Sequence, residues 1–259
     1  MRLKLKKYVA DHNKRDRRLE KALYAIRQGD NYEKEKAIEF LIRRPTRKTV
    51  ELILPLLQEK DTSTRMAVVQ VVQKIGHMNV EAIANLLDME NEDLRVYACE
   101  IMASMKTPQT VPSLIKALSD ESENVKNAAV IALGEFNDER AVKALLNMLR
   151  HEQWIVFSAI CSLGKIKSPA AALPLLQIFQ NGEEELSLAA CEALMDFEND
   201  DILDKMFHIL KGWSKKKRKR YIEIIIQQGN ENLFLRLKRS IGQDLFEHLL
   251  PYVVFDRAE

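Results

Sequence analysis

The sequence predicts an all-α protein, a right-handed α-solenoid (α-α superhelix) of about seven helical pairs with a helical cap at each end. Three observations predict this fold. The 259 residues include only 8 Gly and 7 Pro, too few for the frequent turns of an all-β fold. Apolar residues recur with helical spacing along most of the chain. Blocks of about thirty residues also recur, and such short helical blocks bury their apolar faces only by stacking.

The repeats align on one position in the first helix of each block. Successive blocks place this position 30 or 31 residues apart, at Glu35, Arg65, Arg95, Lys126, Val156, Ser187 and Arg218. Seven residues further on, every block carries a large apolar residue: Ile42, Val72, Met102, Leu133, Leu163, Leu194 and Ile225. We expect this second position to form the core of the stack.

A short polar residue precedes the second helix in five blocks, at Thr107, Asp138, Ser168, Asn199 and Asn230. Such a side chain accepts a hydrogen bond from a free backbone N–H at a helix start, so these residues are predicted N-caps. Pro108 and Pro169 follow two of them and suit the first helical position. Pro112 and Pro174 fall inside predicted second helices and predict local bends.

The best-formed block, VKNAAVIALG at residues 125–134 followed by ERAVKALLNML, resembles a HEAT repeat. It is similar to the short bacterial and archaeal kind grouped with phycobilisome-lyase-like HEAT repeats. The resemblance covers about residues 32–239 and is strongest in the blocks that start near Asp93, Asn124 and Trp154. It implies the fold, but the family includes scaffolds, adaptors, lyases and a few other enzymes.

The resemblance also implies how the chain is divided. We expect a basic N-terminal segment with a capping helix over residues 1–31, HEAT-like repeats over 32–239 and a C-terminal helical cap over 240–259, in a single domain overall. The family often has an Asp six residues before the basic residue of its first helix. Asp120 and Lys126 keep that spacing.

Charge is strongly segregated behind a net charge of +2. Residues 1–80 carry 19 Lys and Arg against 10 Asp and Glu, residues 81–210 carry 10 against 22, and residues 211–259 carry 11 against 6. The stack is therefore expected to have basic ends and an acidic middle, which bears on its partners rather than on its fold.

Two local features stand out as candidate partner sites. The first is a run of six adjacent cations at a helix start, Lys215, Lys216, Lys217, Arg218, Lys219 and Arg220, where positive charge opposes the helix dipole. This run is interpreted as a solvated helix end, a phosphate-binding site or a site for an acidic protein surface. The second feature is Trp154 and Trp213, at turns between repeats, which either cover the neighbouring repeat or anchor a partner.

The function predicted from these features is a non-catalytic scaffold or adaptor that binds another protein through the concave surface of the solenoid. The polar residues expected there lie off the apolar faces of the second helices: Glu81, Asn85, Ser113, Lys116, Lys143, Asn147, Gln177, Lys205 and His208. One alternative is binding of nucleic acid or an anionic membrane by the basic ends. The other is a HEAT-like enzyme, either a DNA glycosylase or a chromophore lyase, although the acidic middle argues against DNA lying along it.

The sequence contains no recognisable catalytic motif, so we expect no enzyme activity, no cofactor and no metal. His151-Glu152 is a single His-Glu pair, whereas HEAT-like diiron oxygenases use several. Cys99, Cys161 and Cys191 lie in apolar helical patterns and are expected to be reduced, buried thiols. No run of about 18 apolar residues is present. We therefore expect a cytoplasmic protein, with a peripheral position on the inner face of the membrane as an alternative; the oligomeric state stays open.

Overall fold

The computed structural model describes residues 17–197, 199–227 and 231–241, and every regular element within these ranges is helical. The chain forms two compact units, Met1–Ala132 and Leu133–Glu259. None of the described helices has both the length and the apolar character needed to span a bilayer. Of the predicted C-terminal cap, 240–259, only residues 240 and 241 are among the described residues. Residues 1–16 of the predicted N-terminal part lie outside the described residues as well.

The first unit is a series of short helical pairs. Its helices are α1 (17–28), α2 (Asn31–Arg43), α3 (Arg47–Ile53), α4 (Thr62–Ile75), α5 (Val80–Ala84), α6 (Glu92–Met105), α7 (Val111–Ala117) and most of α8 (Glu123–Gly134). Turns of 3-10 helix flank the short helices α3, α5 and α7. The first helices pack in sequence, α2 against α4 and α4 against α6.

The second unit repeats this arrangement with longer helices. They are α9 (Glu139–Met148), α10 (Gln153–Ile166), α11 (Pro169–Asn181), α12 (Glu184–Met195), α13 (Asp200–Gly212), α14 (Lys215–Gln227) and α15 (Glu231–Ile241). The first helices α10, α12 and α14 pack in series, and the second helices α9, α11, α13 and α15 form a parallel series. The predicted fold class, an all-α repeat protein of the α-solenoid class, is confirmed.

The predicted core position is buried in every repeat except the first. There Ile42 is only half-buried, and its neighbour Leu41 takes the core place. Asp30 caps α2 and so fixes where the helix starts. The residues of α2 that face inward are then Lys34, Ala37 and Leu41, which follow one another at helical spacing.

Three of the predicted N-caps are confirmed. The side chains of Asp138, Ser168 and Asn199 accept hydrogen bonds from backbone N–H groups at the starts of α9, α11 and α13. Thr107 is not a cap, because Pro108 opens a 3-10 turn and the Thr107 hydroxyl donates instead to the Met105 carbonyl at 3.3 Å. The fifth predicted cap, Asn230, lies outside the described residues.

One further expectation, a bend at Pro112, is wrong, and the spacing of Asp120 and Lys126 does not correspond to an ion pair between them. Pro112 lies in the first turn of α7, which begins at Val111, so this proline fits the helix without a bend. Asp120 forms its ion pair with Arg95 of the preceding repeat at 2.9 Å, whereas Lys126 pairs with Glu123 at 2.6 Å. The carboxylate therefore joins two successive repeats.

Candidate functional site

A groove of the second unit lies between the second helices α11 and α13, which pack side by side. It has a volume of about 640 Å³. Its walls are formed by Leu173, Leu176, Gln177 and Gln180 of α11 and by Asp201, Asp204, Lys205, His208 and Ile209 of α13. This volume is in the range of small-molecule sites.

The groove has an apolar surface that is partly open to solvent. Leu176 is buried, Ile209 is half-buried, and Leu173 is 62% exposed although it is a large aliphatic residue. Leu173 lies off the inward stripe of α11, whose core positions are taken by Ala172, Leu175 and Leu176. The exposed leucine therefore offers apolar area to a ligand rather than to the core.

Charged groups line the α13 side of the groove. Asp204 lies 3.9 Å from the Arg236 guanidinium of α15, and Asp200 also forms an ion pair with Arg236. Lys205 and His208 are exposed, one helical turn apart. The groove thus combines carboxylates that accept N–H donors, a lysine that pairs with an anion, and an imidazole that can donate or accept a proton.

The sequence identified part of this groove. Gln177, Lys205 and His208, predicted to project from the concave surface, share it. Asp201 and Asp204 were not assigned to the concave surface, although positions 201, 204, 205 and 208 have the spacing that places residues on one helix face. Leu173 was not assigned to it either, although it lies off the apolar stripe formed by Ala172, Leu175 and Leu176.

The basic run at residues 215–220 forms the first turns of α14, where most of its cations contact their own chain. Lys217 Nζ lies 3.8 Å from the centre of the Trp213 ring, and Arg218 Nη2 donates to the Trp213 carbonyl at 2.9 Å. Lys219 lies 3.7 Å from Glu223. Arg220 pairs with Glu184, whereas Lys215 and Lys216 are exposed.

The two tryptophans have different surroundings. Trp213 is half-buried, with ring centres 4.8 Å from Phe179 and 4.7 Å from Tyr221, so it covers the junction between α11 and α14. Trp154, in the first turn of α10, is 42% exposed. Neither indole is fully buried between repeats.

The remaining candidate partner residues lie on second helices of different units. Lys143 and Asn147 are exposed on α9 of the second unit. Lys116 is exposed on α7 of the first unit and pairs with Asp88 at 2.9 Å. All three are available for contact.

Thiols and metal ligands add little to the site. Burial raises the pKa of Cys99 and of Cys191 to about 12, so both thiols stay protonated. The expectation of a buried thiol is wrong for Cys161, which is exposed; desolvation together with nearby Glu192 also raises its pKa. In the part of the chain that the structure describes, no group of three His, Cys, Asp or Glu residues is placed to hold a metal ion.

Comparison with known proteins shows which proteins this chain is similar to. Residues 80–162 match the family model described as HEAT repeats. The bilin biosynthesis protein PecE of Nostoc sp. (strain PCC 7120) is 30% identical over 146 residues, which are 55% of this chain and 51% of that protein. The phycocyanobilin lyase subunit alpha of Synechococcus elongatus is 29% identical over 117 residues, 41% of this chain and 43% of that protein. The chain spans about half the length of these curated relatives.

Among solved structures, the complex of CpcE and CpcF of phycocyanin lyase from Nostoc sp. PCC7120 is 19% identical, with a TM-score of 0.49. The match covers 79% of this chain and 93% of that chain.

These relatives correct two expectations from the sequence. The curated relatives carry the names of a bilin biosynthesis protein and a bilin lyase subunit, which overturns the prediction of a non-catalytic scaffold and the prediction that the chain is not an enzyme. Both predictions rested on the absence of a local catalytic motif, and a site assembled from separate repeats leaves no such motif. The predicted resemblance to HEAT repeats of the phycobilisome-lyase-like kind is confirmed by the match of residues 80–162 to the HEAT-repeat model and by the names of these relatives.

Proposed function

We propose that the chain is a lyase-type protein that binds a bilin, an open-chain tetrapyrrole, in the groove between α11 and α13. The observation that carries this proposal is the combination of exposed apolar surface, carboxylates, lysine and histidine in one groove of about 640 Å³. The names of the curated relatives, a bilin biosynthesis protein and a phycocyanobilin lyase subunit, support the ligand class.

The chemistry of a bilin matches the lining of the groove. A bilin is a chain of four conjugated rings with N–H donors and two propionate carboxylates. Leu173, Leu176 and Ile209 offer apolar area for the rings, and Asp201 and Asp204 offer acceptors for the N–H groups.

The remaining two groups would act on the ends of the ligand and on its protons. Lys205 offers a cation for a propionate. His208 is the group in the groove suited to move a proton on or off the bound bilin.

The lyase would act together with another protein. One relative is named as a subunit, which supports a partner chain. The surfaces that remain proposed for this contact are Trp154, Lys116, Lys143, Asn147 and the exposed cations of the run 215–220. None of the relatives reported above is named for nucleic-acid or membrane binding, so no polyanion is assigned to the basic ends.

The test is a titration of the full chain with phycocyanobilin, followed by the absorbance and fluorescence of the bilin. We expect saturable binding. The double substitution Lys205→Glu/His208→Ala is expected to weaken it by at least about tenfold, since it removes the charge partner of a propionate and a hydrogen-bonding ring.

The matched control is Lys211→Glu, which changes the same charge on the same helix outside the groove. It is expected to leave the affinity unchanged. Equal loss in both variants, or no saturable binding by the wild-type chain, would contradict the proposal.

A further inference from the structure

A second groove, of about 510 Å³, lies in the first unit between α1 and α2, which are joined by Gly29 and Asp30. Its floor is formed by three small residues, Ala22, Ala25 and Ala37. Alanines let another backbone approach closely, so the floor is narrow and flat rather than deep.

Cations dominate the edges of this groove. Its lining includes Arg18, Lys21, Lys36 and Arg44 against a single carboxylate, Glu33. That carboxylate is already engaged, since Glu33 Oε2 accepts a hydrogen bond from the Asp30 backbone N–H at 3.1 Å in the cap of α2. The groove therefore carries a positive surplus that nothing within its own lining neutralises.

The cations are held loosely and remain available. Lys36 Nζ lies 5.4 Å from the centre of the Tyr32 ring, and the Arg44 guanidinium lies 5.9 Å from that of Phe40. These distances are near the outer limit of cation–π contact. Tyr32 itself is 67% exposed, so a large ring lies at the rim with most of its surface open to solvent.

The spacing of the lining residues fits a helix as occupant. On α2 they include Tyr32, Lys36 and Phe40, one every four residues, which form a ridge about 12 Å long, and Arg44 follows as the C-cap of this helix. On α1, Arg18 and Lys21 line the other edge, beside the floor residues Ala22 and Ala25. A ridge and a cationic edge with a small-residue floor between them form a surface onto which a third helix packs.

We infer that this groove docks an amphipathic helix of a partner protein, with a narrow apolar face and Asp or Glu along both edges. Charge complementarity selects the acidic edges. The chain's own residues 1–16 carry six Lys and Arg against two Asp, so their charge disfavours them as occupants of a basic groove. The inference goes beyond the proposed function, because it concerns the first unit and does not depend on bilin binding.

The experiment measures binding of a synthetic, fluorescein-labelled helix of about 15 residues to the full chain by fluorescence anisotropy. The helix carries alanine and leucine along one face and glutamate along both edges. We expect saturable binding that weakens as salt is raised. Arg18→Glu/Arg44→Glu is expected to weaken binding by at least about tenfold, and Ala25→Trp, which fills the floor without changing charge, to do the same.

Arg150→Glu/Lys211→Glu is the matched control, with the same charge change at exposed cations of the second unit, and it is expected to bind the peptide as the wild type does. Far-UV circular dichroism shows that each variant keeps its helices. Equal binding of a peptide with lysine edges, or of unstructured polyglutamate, overturns the inference, because the groove would then not select an acidic helix. Self-association of the chain through this groove also overturns the inference. It would be seen in sedimentation velocity as oligomers that are absent from the Arg18→Glu/Arg44→Glu variant.

Discussion

Replacing Asp120 by alanine removes the carboxylate that joins two successive repeats of the first unit. The Arg95 side chain is only 7% exposed and that of Asp120 12%. Arg95 Nε and Asp120 Oδ2 lie 2.9 Å apart, and Arg95 Nη2 donates to Oδ1 at 3.0 Å. This hydrogen bonding raises the pKa of Arg95, which stays charged.

The cost follows from what the substitution leaves behind. The guanidinium keeps its bonds to the Met89 and Glu90 carbonyls, at 2.9 and 2.8 Å, but loses its nearly buried counter-charge. The Ser122 backbone N–H also loses its acceptor, Asp120 Oδ1, at 2.8 Å. Breaking a buried pair on one side costs about 3–5 kcal/mol. Since some solvent and Glu121 still reach Arg95, we expect the lower end, about 3 kcal/mol.

Urea unfolding followed by far-UV circular dichroism measures this cost, and hydrogen exchange of peptides from α6 to α8 locates it. The control is Asp88→Ala, which breaks the Lys116–Asp88 pair of the same unit, where the two side chains are 74% and 66% exposed. Exposed pairs contribute about 0–1 kcal/mol, so the control is expected to change little. A loss below about 1 kcal/mol for Asp120→Ala, or equal losses in both variants, would refute the reasoning.

Three further predictions concern packing, backbone strain and thiols. A Cβ on Gly164 would lie 2.7 Å from the Ala193 Cβ, so Gly164→Ala is expected to cost about 1–3 kcal/mol in thermal unfolding. Gly212→Ala, which meets no described atom within 4 Å, is its neutral control. Lys167 holds a φ of 56° after α10, so Lys167→Gly is expected to stabilise the chain by about 0.5–1 kcal/mol, and a lower midpoint in urea would contradict this. An aromatic disulfide reagent at pH 8 is expected to label one thiol of the folded chain, Cys161, and all three after unfolding; rapid labelling of a second thiol would show that the burial is wrong.

The repeat architecture was predictable because it depends on periodicity. The core position follows a spacing of 30 or 31 residues and needs only a large apolar side chain, so the sequence shows it directly. The exception is Ile42, because the inward stripe of α2 is formed by Lys34, Ala37 and Leu41, and Ile42 lies about 100° around the helix from Leu41. Caps were predicted correctly at three positions and failed at Thr107, where Pro108 opens a 3-10 turn. A proline also follows Ser168 and there opens an α-helix, so the sequence pattern does not distinguish the two cases.

Contacts between repeats were harder to predict. Asp120 is six residues from Lys126, yet its partner is Arg95, 25 residues away, because the turn between α7 and α8 carries the carboxylate back to the preceding first helix. The α11–α13 groove has the same character: its residues come from helices in different repeats, and their charges show no motif along the chain. The function was misjudged because residues that come together from separate repeats leave no recognisable motif in the sequence.

The most direct test of the proposed bilin site is hydrogen exchange of the full chain with and without saturating phycocyanobilin. A ligand that binds the native groove suppresses its opening by a free energy set by its concentration relative to the dissociation constant. We expect slower exchange in peptides from α11 (Pro169–Asn181) and α13 (Asp200–Gly212) and little change in α1 to α7. Unchanged exchange in α11 and α13, or protection centred on another part of the chain, would contradict the assignment of the groove.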